Sequence, residues 1–173
     1  ANPNASGTAY AALATLIQIF GEDKAFELMK GMHRNTNNYP RPGAGAIRAA
    51  ARGETTIAVL FLHEGTTEAK AGFPVKFIAP CEGTGYEVGS MSLVKGARNL
   101  DNAKKFYDWA LTPSAQKIGG ETKNFQVPSN KATPIPEGAP NMSQIKLINY
   151  DFAKYGSAAE RKRILDKWDR EVY

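Results

Sequence analysis

The sequence predicts an α/β protein in which helices flank a sheet. Three observations lead there. Helical apolar periods recur from one end of the chain to the other, β-branched apolar runs lacking a 3.6-residue period alternate with them, and Pro- or Gly-rich stretches separate the two. At 173 residues, with 42% hydrophobic and 23% charged side chains, the chain is ordinary globular material, enough for one domain or two small lobes.

Leu13, Leu16, Ile17 and Phe20 follow i, i+3, i+4, i+7, and the all-round apolar character from Ala9 to Phe20 predicts a deeply buried helix ended by Gly21. Ala25, Leu28, Met29 and Met32 repeat the spacing in a second helix, stopped by the polar stretch His33 to Asn38. Tyr39 to Gly45 is too rich in Pro and Gly for regular structure, and Ala46 to Arg52 resumes a helical pattern closed by Gly53. Thr55 to Leu62 reads as a buried strand whose far end delivers His63 and Glu64. A short helix through Glu68, a strand at Val75 to Ala79, a flexible Glu82-Gly83-Thr84-Gly85 connection and a strand at Tyr86 to Val94 follow.

Asp101 caps a helix with Ala103, Phe106, Tyr107 and Ala110 on one side, and Thr112-Pro113 starts another, stopped by Gly119-Gly120. Residues 121–144 hold five prolines or glycines and predict an extended wrapping segment, with Asn124 to Val127 a further strand candidate. Ser157 with Glu160 is a capping box, and Ile164, Leu165, Trp168 and Val172 form the buried stripe of a C-terminal helix. Three strands make a thin sheet for so many helices, which suggests that part of the fold lies outside this chain.

Composition narrows the function. The net charge of +5 favours anionic partners, but basic residues are interleaved with acids, as in ERKRILDKWDRE at 160–171, so a solvated helix face is expected rather than a nucleic-acid surface. Apolar runs fall short of the roughly 18 to 20 residues of a membrane span, and the N-terminus lacks the regions of a signal peptide. Ala1 opens the chain without a Met, which suggests a processed or excised polypeptide. Cys81 is the sole cysteine, so neither an internal disulfide nor a multi-Cys zinc site is expected.

Ser6, Gly7 and Thr8 stand before the first helix. The first amides of a helix lack partners within it and lie at the positive end of its dipole, so a Gly-containing turn with two hydroxyls suits a phosphate or carboxylate; it also suits plain capping. Gly43, Ala44 and Gly45 form a second side-chain-poor loop before a helix, where a ligand could touch backbone. GAGAIR has Arg48 where a dinucleotide fingerprint needs Gly or Ala, and a P-loop is missing. His63 and Glu64 at a strand end are placed where α/β proteins expose ligand-contacting groups, or are a surface pair. Glu87, beyond the glycines, either points outward or needs a partner such as ligand hydroxyls. Without a G-x-S-x-G elbow, an HExxH helix or metal-ligand spacing, this set fits holding a ligand better than turning one over.

PNASGTAY opening a helix, then RPGAGAIRAAARGE, EGTGYEVGSMSLVKGARN and DNAKKFYDWALTPSAQ, resemble the solute-binding proteins of bacterial ABC importers over nearly the whole chain. The likeness is to the branch usually labelled ferric-iron binding. It implies two α/β lobes joined by a hinge that close over a ligand in the periplasm, for delivery to an inner-membrane permease. Ferric-binding members carry adjacent tyrosines where this chain reads Leu62-His63-Glu64. The chain instead resembles the hexose-phosphate-binding members. By that resemblance Ser6, Gly7 and Thr8 hold phosphate, His63, Glu64 and Glu87 hold the sugar, and Gly43, Ala44 and Gly45 contribute backbone, with no cofactor or metal. Residues 1–90 then correspond to a periplasmic-binding-protein type II lobe, a mixed sheet flanked by helices, and 91–173 to the returning part of the other lobe. In this family a substantial segment precedes the equivalent of Asn2, so exposed apolar surface and self-association are expected. The alternatives are ferric iron or another small anion as ligand and, more remotely, a sugar-phosphate enzyme.

Overall fold

The computed structural model describes residues 1–41 and 44–173. Helix α1, Gly7–Phe20, starts where Ser6 takes an extended conformation and its hydroxyl accepts the Ala9 N–H. Its all-round apolar sequence becomes deep burial: Tyr10, Leu13, Ala14 and Ile17 are each at most 5% exposed. Gly21, at φ 80°, ends α1 by donating its N–H to the Ile17 carbonyl and turns the chain directly into α2, Glu22–Arg34. A left-handed φ of this kind favours glycine.

Helix α2 buries Ala25, Phe26 and Met29, whereas Leu28 and Met32, expected on the same stripe, are exposed. Phe26 sets the buried direction, and Leu28, two positions on, projects to the far side at about 100° per residue. The last helix, α8, spans Ala158–Glu171 behind the Ser157 cap and closes this layer with Ile164, Trp168 and Val172. Tyr10 Oη donates at 2.8 Å to the carbonyl of Tyr155, the last residue of the short helix α7, Phe152–Tyr155. Glu22 then clamps α2 to α8, taking Arg163 through both carboxylate oxygens at 2.9 and 2.7 Å and Lys167 at 2.8 Å. Those donors hold its carboxyl down at about 2.

Helices α3, Gly45–Ala51, and α4, Leu62–Lys70, pack on each other. The strands expected at 55–62, 75–79, 86–94 and 124–127 form no ladder among the described residues, where the bridge present is the parallel Thr84–Leu147 pair. A ladder needs a second backbone about 4.7–4.9 Å away. Without one the strand-like residues stay open to solvent, Ile57 at 79% and Ile78 at 70%. The Gly-rich connection is pinned rather than flexible. Thr84 N–H donates to the Lys146 carbonyl at 2.9 Å and Ile148 N–H to the Thr84 carbonyl at 3.0 Å. A Cβ on Gly85 would collide with Thr15 Oγ1 and press on Tyr150.

The chain forms two compact units, Ala1–Tyr86 with Met142–Tyr173, and Glu87–Asn141. The expected division after residue 90 grouped 142–173 with the segment before it; in the structure these residues cluster with the first unit, because Ile164 and Trp168 join the core of α1 and α2. The second unit contains α5, Leu100–Ala110, and α6, Pro113–Glu121, and neither helix has a buried residue. Asp101, expected to cap α5, instead lies in its first turn behind Asn99, and α6 continues through Gly119 and Gly120, expected to stop it, to Glu121. Met91, Leu93 and Val94 leave a cavity of about 400 Å³ against Ala103, Phe106 and Tyr107 of α5. The following segment is tied back to these helices by Asn130, whose Nδ2 donates to the Leu111 carbonyl and whose N–H donates to Gln116 Oε1.

Candidate functional site

Two helix starts carry the expected ligand groups of the first unit. At α1, Ser6 is buried and its hydroxyl accepts the Ala9 N–H at a long 3.4 Å, while Tyr10 N–H bonds the Ser6 carbonyl. Helix geometry leaves the Gly7 and Thr8 amides without an intrahelical acceptor. A serine hydroxyl accepting one bond can still donate its own proton. Gly7 is exposed and Thr8 half-buried, so this end combines two amides and two hydroxyls at the positive end of a fourteen-residue helix.

The second start corrects an expectation. His63 and Glu64 do not end a strand; they form the first turn of α4, which begins at Leu62 after Phe61 at φ −72°, ψ 139°. Glu64 is the third residue of that helix, and the Phe61 backbone amide acts back on its carboxylate, as in the return half of a capping box. An acid three residues beyond an extended residue was the readable signal for this helix start. Burial raises the Glu64 carboxyl above its ordinary value, against the Phe61 amide and the Arg48 charge. Its Oε2 is buried and has no hydrogen-bond partner among the described residues. His63 stacks on the Phe61 ring at 5.7 Å between centroids, and burial lowers its pKa, favouring the neutral imidazole. A neutral imidazole and a buried carboxylate oxygen are hydrogen-bonding groups of the type that hydroxyl recognition uses.

Ala44 caps α3 and Gly45 begins it, and the packing of α3 on α4 brings that helix to the one bearing His63 and Glu64. Gly43 lies outside the described residues. Ser6, Gly7 and Thr8 start a different helix, whose main packing partner is α2. Glu87 is exposed and opens the second unit. Two charged residues on the α3–α4 seam were missed: Arg48 Nε lies 4.0 Å from Glu68 Oε1. The i, i+4 spacing of Glu64 and Glu68 on one helix face was the available sequence signal. Among the described residues no three His, Cys, Asp or Glu side chains gather as a metal site, and no helix is long and apolar enough to cross a membrane.

A family model of bacterial extracellular solute-binding proteins matches residues 1–155. The chain belongs to that family. Among solved structures, this solute-binding chain is 46% identical to the periplasmic binding protein AfuA from Actinobacillus pleuropneumoniae, solved with exogenous fructose 6-phosphate bound; the match has a TM-score of 0.96 and covers 99% of this chain and 54% of that one. The periplasmic binding protein P5PA is 36% identical at a TM-score of 0.93, over 99% of this chain and 55% of its own. A Haemophilus influenzae protein described as uncharacterized is 45% identical over 173 residues, 99% of this chain and 50% of the relative. The solute-binding chain thus spans about half the length of the relatives it matches. Its backbone has the periplasmic-binding-protein fold that the sequence resemblance implied, even though its strand-like segments form no ladder among the described residues.

Proposed function

We propose that this chain is the substrate-capturing component of an ABC importer, holding a phosphorylated sugar, with a hexose phosphate as the ligand class, in the periplasm and passing it to an inner-membrane permease. One observation carries the reading: 46% identity and a TM-score of 0.96 over 99% of the chain to a binding protein solved with fructose 6-phosphate. The local chemistry supports it. The Gly7 and Thr8 amides, with the Ser6 and Thr8 hydroxyls, take the phosphate at the α1 N-terminus. His63, Glu64 and Glu87 exchange hydrogen bonds with the sugar hydroxyls, and Ala44 and Gly45 at the start of α3 offer backbone. The protein holds its ligand without turning it over. Residues 1–86 supply the ligand-binding lobe, onto which 142–173 pack, and exposed Phe106 and Trp109 of the second unit promote self-association.

Isothermal calorimetry with fructose 6-phosphate, glucose 6-phosphate, inorganic phosphate, glucose and ferric citrate tests the reading, on the 173-residue chain and on a polypeptide of the relatives' length. Sugar phosphates bind most tightly, and the recovered ligand is chemically unchanged. Glu87→Ala weakens sugar-phosphate binding and leaves inorganic phosphate binding intact. Saturable ferric citrate binding without sugar-phosphate binding rejects the ligand assignment. A strictly monomeric species at high concentration rejects self-association.

A further inference from the structure

Resting on the reading of Glu87 as a residue that grips the sugar, we infer that Tyr86, seated on Phe152, is the positioning residue that fixes where the Glu87 carboxylate is presented. Glu87 is exposed, and among the described residues it takes part in no hydrogen bond or ion pair. A carboxylate without a partner of its own is oriented only by the backbone that carries it. The stretch that follows gives no support, since from Glu87 to Leu93 no backbone hydrogen bond is made among the described residues. Tyr86 is the last residue of the first unit and Glu87 the first of the second. The placement of Glu87 is therefore set by the residues just before it.

Those residues are held by contacts of three kinds. Thr84 exchanges two backbone hydrogen bonds with the Lys146 carbonyl and the Ile148 N–H, at 2.9 and 3.0 Å. Gly85 lies so close to α1 that a Cβ there would run into Thr15 and come within 3.2 Å of the Tyr150 ring. Tyr86 meets Phe152 edge to face, with ring centroids 5.3 Å apart at 74°, a geometry in which aromatic pairs attract. Phe152 is itself braced: it packs on Tyr150 at 4.8 Å, and its neighbour Asp151 donates its N–H to Gln18 of α1 while its carboxylate caps α7. The backbone contacts stop at Gly85, so Tyr86 is the side chain that extends the hold to the peptide of Glu87. Its hydroxyl makes no hydrogen bond among the described residues, which leaves the ring as the part that holds. A carboxylate already placed gives up less freedom on taking a ligand hydroxyl, and ordering a loose one costs affinity.

Amide ¹⁵N relaxation on the 173-residue chain tests the hold without any ligand. The Glu87 order parameter is about 0.8 in wild type and in Tyr86→Phe, and falls below about 0.6 in Tyr86→Ala and Phe152→Ala; that of Ala14, in the core of α1, stays unchanged throughout. Phe152 is 43% exposed, so its truncation spares the core if Tyr86→Ala does not. A wild-type Glu87 already below about 0.6, or one unmoved in both alanine variants, overturns the proposal. Calorimetry then supplies a cycle. Tyr86→Ala and Phe152→Ala weaken fructose 6-phosphate binding about three- to tenfold, Tyr86→Phe does not, inorganic phosphate binding is unaffected, and neither alanine variant has a further effect in Glu87→Ala. Equal losses in both backgrounds, or a parallel loss of inorganic phosphate binding, overturn the route through Glu87. If the wild-type chain binds no sugar phosphate while the Glu87 order parameter still falls in the alanine variants, the ligand reading fails and the hold of Tyr86 on Glu87 stands.

Discussion

Helices α8 and α5 carry apolar residues at the same helical spacing, Ile164, Leu165 and Trp168 in one and Ala103, Phe106, Tyr107 and Ala110 in the other. Helix α8 buries Ile164 completely and Trp168 to 5% exposure, while α5 buries nothing and leaves Phe106 60% exposed. The difference lies outside both helices. Ile164 meets α1 and α2, and the α2–α8 side of that layer is held by the Glu22–Arg163–Lys167 cluster. Phe106 meets Trp109 on its own helix and a partly open cavity. An amphipathic period says which side of a helix seeks cover, and only a second surface provides it.

Truncation in the two helices should differ most. Phe26→Ala and Ile164→Ala each lose about 3 to 5 kcal/mol of stability in chemical denaturation, whereas Phe106→Ala loses less than about 1 kcal/mol. A loss at Phe106 as large as that at Ile164 would break the comparison. Next comes the packing of the Gly-rich connection onto α1. Gly85→Ala costs about 1 to 3 kcal/mol by overpacking, and Thr15→Ala in the same chain recovers most of it, because the collision is with Thr15 Oγ1.

The ion cluster sharpens the same contrast with a pH signature. Arg163→Ala costs about 1 kcal/mol at neutral pH, since the contact is bidentate but half in water. Glu22 titrates at about 2 in the fold against 4.5 as its ordinary value. Its contribution is therefore fully present above 4.5 and is lost as pH falls through 2. The gap between wild type and Arg163→Ala, measured by denaturation at each pH, accordingly narrows over that interval. A gap that stays constant down to pH 2 would assign the loss to packing by the Arg163 stem. The smallest effect concerns the caps. Ser157→Ala and Thr112→Ala each remove a hydroxyl from a helix start, worth about 0.5 to 1 kcal/mol. The first lowers global stability, and the second is read mainly as faster hydrogen exchange at α6 amides.

Local chemistry was legible where it was closed within one turn. Ser157 accepts the Glu160 N–H, Thr112 caps a helix opened by Pro113, Ser6 caps α1, and Gly21 ends it, as their sequence contexts indicate. The site was legible to the same depth. Ser6, Gly7 and Thr8 open a long buried helix, but His63 and Glu64 fall in a helix rather than at a strand end, because the extended run stops at Phe61 and Glu64 serves the next turn.

The sequence by itself determined the Ser6, Thr112 and Ser157 caps and the apolar side of α8, since each depends on groups within four residues of one another. Tertiary structure decided the rest. It put Phe26 rather than Leu28 in the core, made Gly85 a packing necessity through Thr15, joined Arg48 to the Glu64 helix, and left the apolar runs at 55–62 and 75–79 without a ladder among the described residues. The physical reason is common to all four: each outcome depends on a backbone or side chain supplied from a distant part of the chain, and local hydrogen bonds cannot specify that partner.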